Sequence, residues 1–150
     1  MKFRFPLQKV LDHRHTLRDI AQKDFEEIQA EYLRQKNIWE EQIRALHEAR
    51  LEAGRIGAES GPGAPERLKQ IHEFSVLQEI RIQRQKAKVG EWEKLVEEKR
   101  EILRQKAIDS KIMERLKERK KEQFVLDAKR AEQKEADELS VLRFEIRDDE

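Results

Sequence analysis

The sequence predicts an all-α protein in which two long helices form an antiparallel coiled-coil hairpin. Apolar residues return every three or four positions along most of the chain, against a background of Lys, Arg, Glu and Gln, which is the period of an amphipathic helix. Most of the glycines and all but one of the prolines fall between Gly54 and Pro65, so a single turn is expected to interrupt this pattern. With 43% charged and 37% hydrophobic residues, the chain is too polar to close an ordinary globular core, and two helices that cover each other fit it better.

The charge balance and the absence of cysteine argue against several classes of function. Basic and acidic residues number 33 and 32, whereas a general nucleic-acid binder neutralises phosphates with a clear basic excess. Without cysteine the chain has neither disulfides nor thiolate metal sites, which fits a reducing cytoplasm. No apolar run is long enough for a secretory signal or a membrane span, so we expect a soluble protein.

The sequence carries no recognisable catalytic motif. It has no phosphate-binding loop, dinucleotide fingerprint or nucleophile elbow, and two helices offer no concave site that excludes water. His47 and His72 are expected to lie near each other across the hairpin, but a closed zinc site needs four ligands, so ordinary surface histidines are the favoured interpretation. We therefore expect no enzyme activity, no cofactor and no metal.

The first helix is predicted from about residue 7 to residue 56. Pro6 suits the first turn of a helix, and the residues before it are expected to be irregular. Alternating steps of four and three from Leu7 reach 15 positions, of which 11 are apolar or aromatic, which is typical of a coiled-coil seam. These positions are Leu7, Leu11, Arg14, Arg18, Ala21, Phe25, Ile28, Tyr32, Gln35, Trp39, Gln42, Leu46, Ala49, Ala53 and Ile56.

The turn is predicted at about residues 57–65, the second helix at about 66–143 and a short acidic tail at 144–150. Glycine is expected to end the first helix, and Pro65 with the acidic residue after it suits the start of the second. So short a turn makes the helices antiparallel neighbours within one domain. Gly90, inside the second helix, is expected to make room beside Trp92 for close approach of the helices.

The same turn predicts the register of the hairpin. Folding near residue 61 pairs positions whose numbers add up to roughly 122, and apolar residues are then expected to meet at every layer. The predicted pairs include Trp39 with Ile82, Ala21 with Ile102 and Leu11 with Ile112. The N-terminal end of the first helix would then lie opposite about residue 116 of the second helix. Helix two should therefore extend beyond helix one at the end where the chain termini lie. Residues 117–143 would then need another molecule to cover them.

One charged segment has two interpretations. Residues 99–121 carry ten basic and four acidic side chains. They form either a solvated helix face or a surface that guides the chain onto an acidic partner. Because aromatic residues are not interleaved for base stacking, a protein partner is favoured over single-stranded nucleic acid.

The two ends of the chain carry distinctive motifs. The start reads Phe3-Arg4-Phe5-Pro6-Leu7-Gln8-Lys9-Val10-Leu11, with Arg14 after it, and the end carries Glu132-Gln133-Lys134-Glu135-Ala136-Asp137-Glu138. Both motifs resemble those of the FliJ family of flagellar export proteins, the second being similar to the C-terminal signature of that family. Trp92 lies where such chains often carry a tryptophan. The resemblance covers essentially the whole chain, and the C-terminal signature is its specific part.

The resemblance implies a function in protein export. FliJ-like proteins form a two-helix stalk similar to the γ subunit of rotary ATPases. They insert their terminal end into the hexameric flagellar export ATPase, promote its assembly and activity, and contact the export gate protein FlhA and export chaperones. We accordingly expect a monomer in the cytoplasm, peripherally associated with the membrane at the flagellar base, and no nucleic-acid partner.

The resemblance also assigns two sets of contact residues. The contact with the ATPase ring is expected at Phe124, Glu132, Gln133, Lys134, Asp137 and Glu138. The contact with the gate is expected at Gln42, Leu46, Ala49, Ala53, Phe74, Gln78, Arg81 and Gln85. Ala49 and Ala53 replace larger aromatic residues there, and Arg81 replaces a small one, so this interface is expected to differ in shape from that of the family.

Three alternatives remain open at this point. The first is the equivalent stalk of a virulence-type type III secretion system. The second is a homo-oligomeric structural coiled coil in which the uncovered helix pairs with itself. The third is nucleic-acid binding through residues 99–121, which predicts strongly salt-dependent affinity.

Overall fold

A computed structural model describes residues 2–149 and contains two helices, α1 (Gln8–Glu59) and α2 (Ala64–Asp148). No strand occurs in this part of the chain, and α1 and α2 pack against each other, so the predicted all-α helical hairpin is confirmed. Neither helix has an apolar stretch long enough to cross a membrane, as far as residues 2–149 are concerned.

The chain divides into two compact units. The central unit is Ile20–Arg104, and the terminal unit combines Met1–Asp19 with Gln105–Glu150.

Helix α1 ends three residues later than the sequence predicted, and it does not end at a glycine. Gly54 and Gly57 are both helical, and Ser60 is the residue that adopts a positive φ, of 44°. Its amide donates a hydrogen bond of 3.2 Å to the carbonyl of Ile56, which is buried. Each helical glycine costs about 1 kcal/mol, and the burial of Ile56, worth about 1.5–3 kcal/mol, offsets much of this.

The turn consists of residues 60–63 and is shorter than predicted. Gly63 has a φ of 84°, and its carbonyl accepts a 3.1 Å hydrogen bond from the amide of Arg67, so Gly63 caps the start of α2. Pro65 and Glu66 follow in the first turn, where a missing amide and a negative charge are both tolerated.

Helix α2 continues through residues 144–148, which the sequence analysis assigned to a short acidic tail after the helix. No glycine or proline occurs between Arg143 and Asp148, so nothing in the backbone ends the helix there. Arg147 in the last turn also suits the negative end of the helix dipole.

In the central unit the predicted seam of α1 is confirmed, because its positions from Ala21 to Ile56 are all buried or half-buried. Helix α2 contributes a seam with the same spacing. Its buried or half-buried members are Ile71, Ser75, Gln78, Ile82, Gln85, Val89, Trp92, Val96, Lys99 and Leu103. The predicted pairing of Ala21 with Ile102 is wrong, since Ile102 is largely exposed and the next residue takes the seam position.

The expectation that apolar residues meet at every layer is also wrong in this unit. Gln78 and Gln85 are only 5% and 6% exposed. The Nε2 of Gln85 donates to the side-chain oxygen of Gln35 at 2.8 Å and to its carbonyl at 2.9 Å, while the Nε2 of Gln78 donates to the carbonyl of Gln42 at 3.0 Å. Two layers of the hairpin therefore contain a buried glutamine of α2 that donates to α1, to a backbone carbonyl in both layers and also to a side chain in the Gln35 layer, and the partners show that α1 and α2 run antiparallel.

Gly90 does not serve the close approach that the sequence suggested. A Cβ atom built on Gly90 would meet no atom within 4 Å outside its own helix backbone. The space beside Gly90 is therefore open, and a methyl group would fit there.

The terminal unit is closed by a small apolar cluster to which the N-terminal segment contributes. Phe5, Leu11 and Met113 are buried, and Phe3 and Leu116 pack against them. The rings of Phe3 and Phe124 lie 5.7 Å apart, within the range of favourable aromatic pairs. The segment before α1, irregular as predicted, therefore continues the cover of α2 beyond the point where α1 begins.

Two details of the predicted register differ in this unit. Met113 is the residue buried beside Leu11, whereas the predicted partner Ile112 is 57% exposed. Leu7, predicted to begin the seam, is largely exposed because it belongs to the turn that precedes α1.

Candidate functional site

The most exposed part of the protein is the end of α2. Every residue from Val125 to Asp149 is exposed, and we call residues 125–149 the C-terminal overhang. The sequence placed the start of the uncovered region at residue 117, which is eight residues too early. The difference arises because Phe3 and Phe5 cover the helix up to Phe124.

An apolar stripe runs along one face of the overhang. Steps of three, four or eight residues from Phe124 along the helix reach Ala128, Ala131, Leu139, Leu142 and Ile146, which share this face by helix geometry. The stripe continues the seam that Met113 and Phe124 occupy in the covered part of α2. More than half of the surface of Leu139, Leu142 and Ile146 is accessible, so this face lacks the cover that the seam has elsewhere.

The five polar residues predicted to contact the ATPase ring lie in this overhang, and four of them pair with each other. The Nε2 of Gln133 donates to a carboxylate oxygen of Asp137 at 3.2 Å, and Lys134 lies 4.0 Å from Glu138. Such exposed pairs are weak, so the four side chains can exchange these bonds for others at little cost. Glu132 is exposed as well.

Phe124, the sixth predicted contact, differs from the others. It is half-buried because its ring packs against that of Phe3. The structure therefore places it in the terminal cluster and not on the free helix.

The residues predicted to contact the export gate divide into two groups. Leu46, Gln78 and Gln85 are buried between the helices, and Gln42, Ala49 and Ala53 are half-buried seam positions. Only two members of the set are exposed, namely Phe74 and Arg81.

Exposed apolar residues lie close to this pair on α2. Val76, Leu77 and Ile80 are all accessible, although none of them was predicted to be part of a contact. A partner at this end would thus meet Phe74 and its exposed neighbours, while the buried members of the set hold the helices together.

The basic residues 99–121 are partly neutralised within the chain. Arg100 pairs with Glu97, Arg104 lies 2.9 Å from Glu101, and the guanidinium of Arg100 also lies 5.7 Å from the ring centre of Phe25. Lys111, Arg115, Lys117 and residues 119–121 form no ion pair with another described residue. The free positive charge is therefore concentrated after residue 110.

A polar network beside the terminal cluster was not predicted. The Nε2 of His15 lies 2.7 Å from a carboxylate oxygen of Glu114, Arg18 lies 3.6 Å from the same carboxylate, and Arg14 donates to the carbonyl of Asp109 at 3.0 Å. The hydrogen bond with His15, more than any other contact, holds the pKa of Glu114 below its ordinary value. Ser110, which is fully buried, adds a weaker contact. The 4-3 spacing placed Arg14 and Arg18 on the seam of α1, and the same spacing along α2, where Ser110 follows Leu103 by seven residues, is the signal that could have revealed their partner.

No metal centre was found in the described part of the chain, since no three His, Asp or Glu side chains of residues 2–149 are arranged to hold an ion. His72 lines an open cleft of about 310 Å³ near the turn, together with Arg50 and Glu79, which form an ion pair.

Comparison with known families gives one match. The model of the Flagellar FliJ protein family matches residues 2–148. The chain belongs to the FliJ family. The resemblance seen at its two ends is thereby confirmed, and FliJ membership connects the protein with flagellar export and with a non-catalytic role. No individual curated protein and no solved structure matched the sequence.

Proposed function

We propose that this FliJ-family protein is the central stalk of the flagellar export apparatus, and that its C-terminal overhang enters the hexameric export ATPase. The observation that carries the proposal is that residues 125–148 remain helical although nothing else in the described residues 2–149 covers them. An isolated amphipathic helix of this length is marginal in water, so a partner is needed to stabilise it.

The size and chemistry of the overhang suit insertion into a ring. A single helix is about 10–12 Å across, and it can enter an opening too narrow for two helices. The apolar stripe offers burial to a surrounding protein, and each large side chain buried there contributes about 1.5–3 kcal/mol. We propose that the ring is contacted by five polar residues around this stripe, namely Glu132, Gln133, Lys134, Asp137 and Glu138. Phe124 lies at the start of the overhang, and its contact with Phe3 would fix the helix where it enters the ring.

The proposal extends to the other partners that membership in the family suggests. The end near the turn would contact the export gate protein FlhA through Phe74 and Arg81, with Gln42, Leu46, Ala49, Ala53, Gln78 and Gln85 holding the helices in place behind them. Export chaperones would bind elsewhere on the exposed helix faces. The protein would act in the cytoplasm, at the membrane of the flagellar base.

The test is the ATP turnover of the purified export ATPase with and without this protein. The full chain is expected to raise turnover, whereas a chain ending at Phe124 should keep the hairpin and lose most of the stimulation. Circular dichroism checks that the shortened chain is folded. Full stimulation by the shortened chain would show that the overhang does not act in the ring.

A pair of variants tests the apolar stripe itself. L139E/L142E places two charges on the stripe, while V141E/F144E places two charges at equally exposed apolar positions on other faces of the same helix. The first variant should reduce stimulation more than the second, because only the stripe continues the seam. Equal losses would mean that the stripe has no special role.

One alternative is favoured by the same exposed stripe, namely a homo-oligomer in which two overhangs pair. Sedimentation of the isolated protein distinguishes the two functions. A monomer agrees with the stalk, and a stable dimer that dissociates in L139E/L142E agrees with the homo-oligomeric coiled coil.

A further inference from the structure

The terminal unit contains an open cleft whose charge the chain leaves unneutralised. The cleft, of about 550 Å³, lies between the segment before α1 and the middle of α2, and it is lined by Phe3, Arg4, Phe5, Gln8, Lys117 and Lys121. Its lining thus combines three cations with two aromatic rings and contains no carboxylate. We call it the basic cleft.

The cations of the basic cleft have no partners in the described chain. Elsewhere in the terminal unit, Arg18 lies near Asp19 and Glu114, and Lys134 lies near Glu138. Arg4, Lys117 and Lys121, in contrast, form no ion pair or side-chain hydrogen bond within residues 2–149. Because Lys117 and Lys121 are four residues apart, their side chains are neighbours on one face of the helix and repel each other.

Lys117 occupies a position that an apolar residue would fill more favourably. It lies on the seam between Met113 and Phe124, and it is half-buried. A carboxylate brought between Lys117 and Lys121 would give both ammonium groups a counter-charge and offset their mutual repulsion.

The surrounding sequence strengthens the positive potential. Residues 2–9 contain Lys2, Arg4 and Lys9 and no acid, and residues 115–121 contain five basic residues and one acidic residue. The nearest carboxylate along α1, that of Asp12, accepts a 2.9 Å hydrogen bond from Gln8. Such a cluster attracts a negatively charged partner over several ångströms.

From this arrangement we infer that the basic cleft binds a carboxylate-rich peptide segment of a partner protein. Lys117, Lys121 and Arg4 would hold successive carboxylates, and the accessible part of Phe3 would contact an apolar side chain between them. Nucleic acid fits less well, since Phe5 is buried and Phe3 packs on Phe124, which leaves little aromatic surface for stacking bases. The inference is independent of the proposed ring contact, because no residue of the cleft lies in the C-terminal overhang.

The experiment measures binding of a fluorescein-labelled, glutamate-rich octapeptide with one central phenylalanine to the full chain by fluorescence anisotropy. The wild-type protein should bind this peptide, and the affinity should fall as the salt concentration rises from about 0.05 M to about 0.5 M. K117E/K121E should weaken binding at least about tenfold, since two charge-assisted contacts are lost. The control K111E/R115E carries the same change in charge on other faces of the same helix and should weaken binding less than about threefold.

Three results would overturn the inference. One is absence of binding to the wild-type protein at low salt. Another is an equal loss in both charge-reversed variants, which would mean diffuse attraction without a site. The third is tighter binding of a single-stranded oligonucleotide of the same net charge through the same two lysines, which would assign the cleft to nucleic acid. K117Q/K121Q is the control for misfolding. This variant should also weaken peptide binding, while its helix content by circular dichroism should be unchanged.

Discussion

Gln35 and Gln85 form a buried hydrogen-bonded pair in the central unit, and their replacement by leucine tests how such a layer contributes to stability. Gln85 donates two hydrogen bonds to Gln35, at 2.8 and 2.9 Å, and is almost wholly inaccessible to water. Leucine has a similar volume, so Q85L removes the bonds without opening a large cavity.

The expected loss of stability in Q85L follows from these two hydrogen bonds. Each contributes a net free energy of about 0.5–1.5 kcal/mol, so their loss destabilises the unit by about 1–3 kcal/mol. The side-chain oxygen of Gln35 then stays buried without a donor, which adds to the loss, while the apolar surface of the new leucine reduces it. We expect Q85L to lower the free energy of unfolding by about 2 kcal/mol.

The double variant Q35L/Q85L should be far less affected than the sum of the single variants. When both partners are replaced by apolar groups of similar shape, neither amide of the pair is left unsatisfied, and the remaining loss is mainly the 2.9 Å hydrogen bond that Gln35 donates to Glu31. The coupling free energy between the two positions is therefore expected to be about 1–3 kcal/mol.

The assay is urea unfolding followed by tryptophan fluorescence. Trp39 and Trp92, the 2 tryptophans of the chain, both lie in the central unit, so the signal reports on this unit. Gln83 is exposed on the same helix, and Q83L is the matched control, expected to change stability by less than about 0.5 kcal/mol. If Q35L and Q85L were additive, or if Q85L were as harmless as Q83L, the assigned layer would not contribute as argued.

Three further predictions concern other parts of the molecule. F5A should remove the buried ring that joins the N-terminal segment to Met113, with a local loss of stability of about 3 kcal/mol. Amide hydrogen exchange at residues 113–124 should then rise more than tenfold. Unchanged exchange would contradict the conclusion that the N-terminal segment covers this part of α2. The pKa of Glu114 is lowered in the folded protein, so its contribution to stability is complete above the ordinary value of 4.5 and is lost as the pH falls through the lowered pKa. The difference in unfolding free energy between wild type and E114Q should therefore shrink as the pH falls through that range. A constant difference would refute the ionic role of Glu114. G90A should raise the unfolding free energy by about 1 kcal/mol in urea, since the new methyl group meets no neighbour, and a loss would show a contact at Gly90.

The period of the sequence predicted most of the fold. The 4-3 spacing of α1 identified every seam position from Ala21 to Ile56 in the central unit, polar members included, because burial in a two-helix hairpin depends on position more than on residue type. The helix ends were less predictable. Gly54 and Gly57 suggested the end of α1, but tertiary burial of Ile56 offsets much of the low helix propensity of the two glycines.

The candidate site was predicted only in outline. The sequence indicated that α2 has an uncovered end, but not that Phe3 and Phe5 reach as far as Phe124, because an irregular segment has no period from which its contacts can be derived. Similarly, the charges of Lys117 and Lys121 were visible, whereas the cleft that isolates them from carboxylates depends on the path of the N-terminal segment.

The two glutamine layers also favour one register of α1 against α2. Gln35 meets Gln85 and Gln42 meets Gln78, and the two pairs are one heptad apart on both helices. Sliding one helix by a heptad would bring Gln85 beside Gln42 and leave Gln78 beside Ala49, while sliding it the other way would leave Gln85 beside Ile28. Either displacement replaces one of the two glutamine-on-glutamine layers by a glutamine beside an apolar residue, so a chain whose apolar stripe repeats almost uniformly still has one alignment in which both layers match.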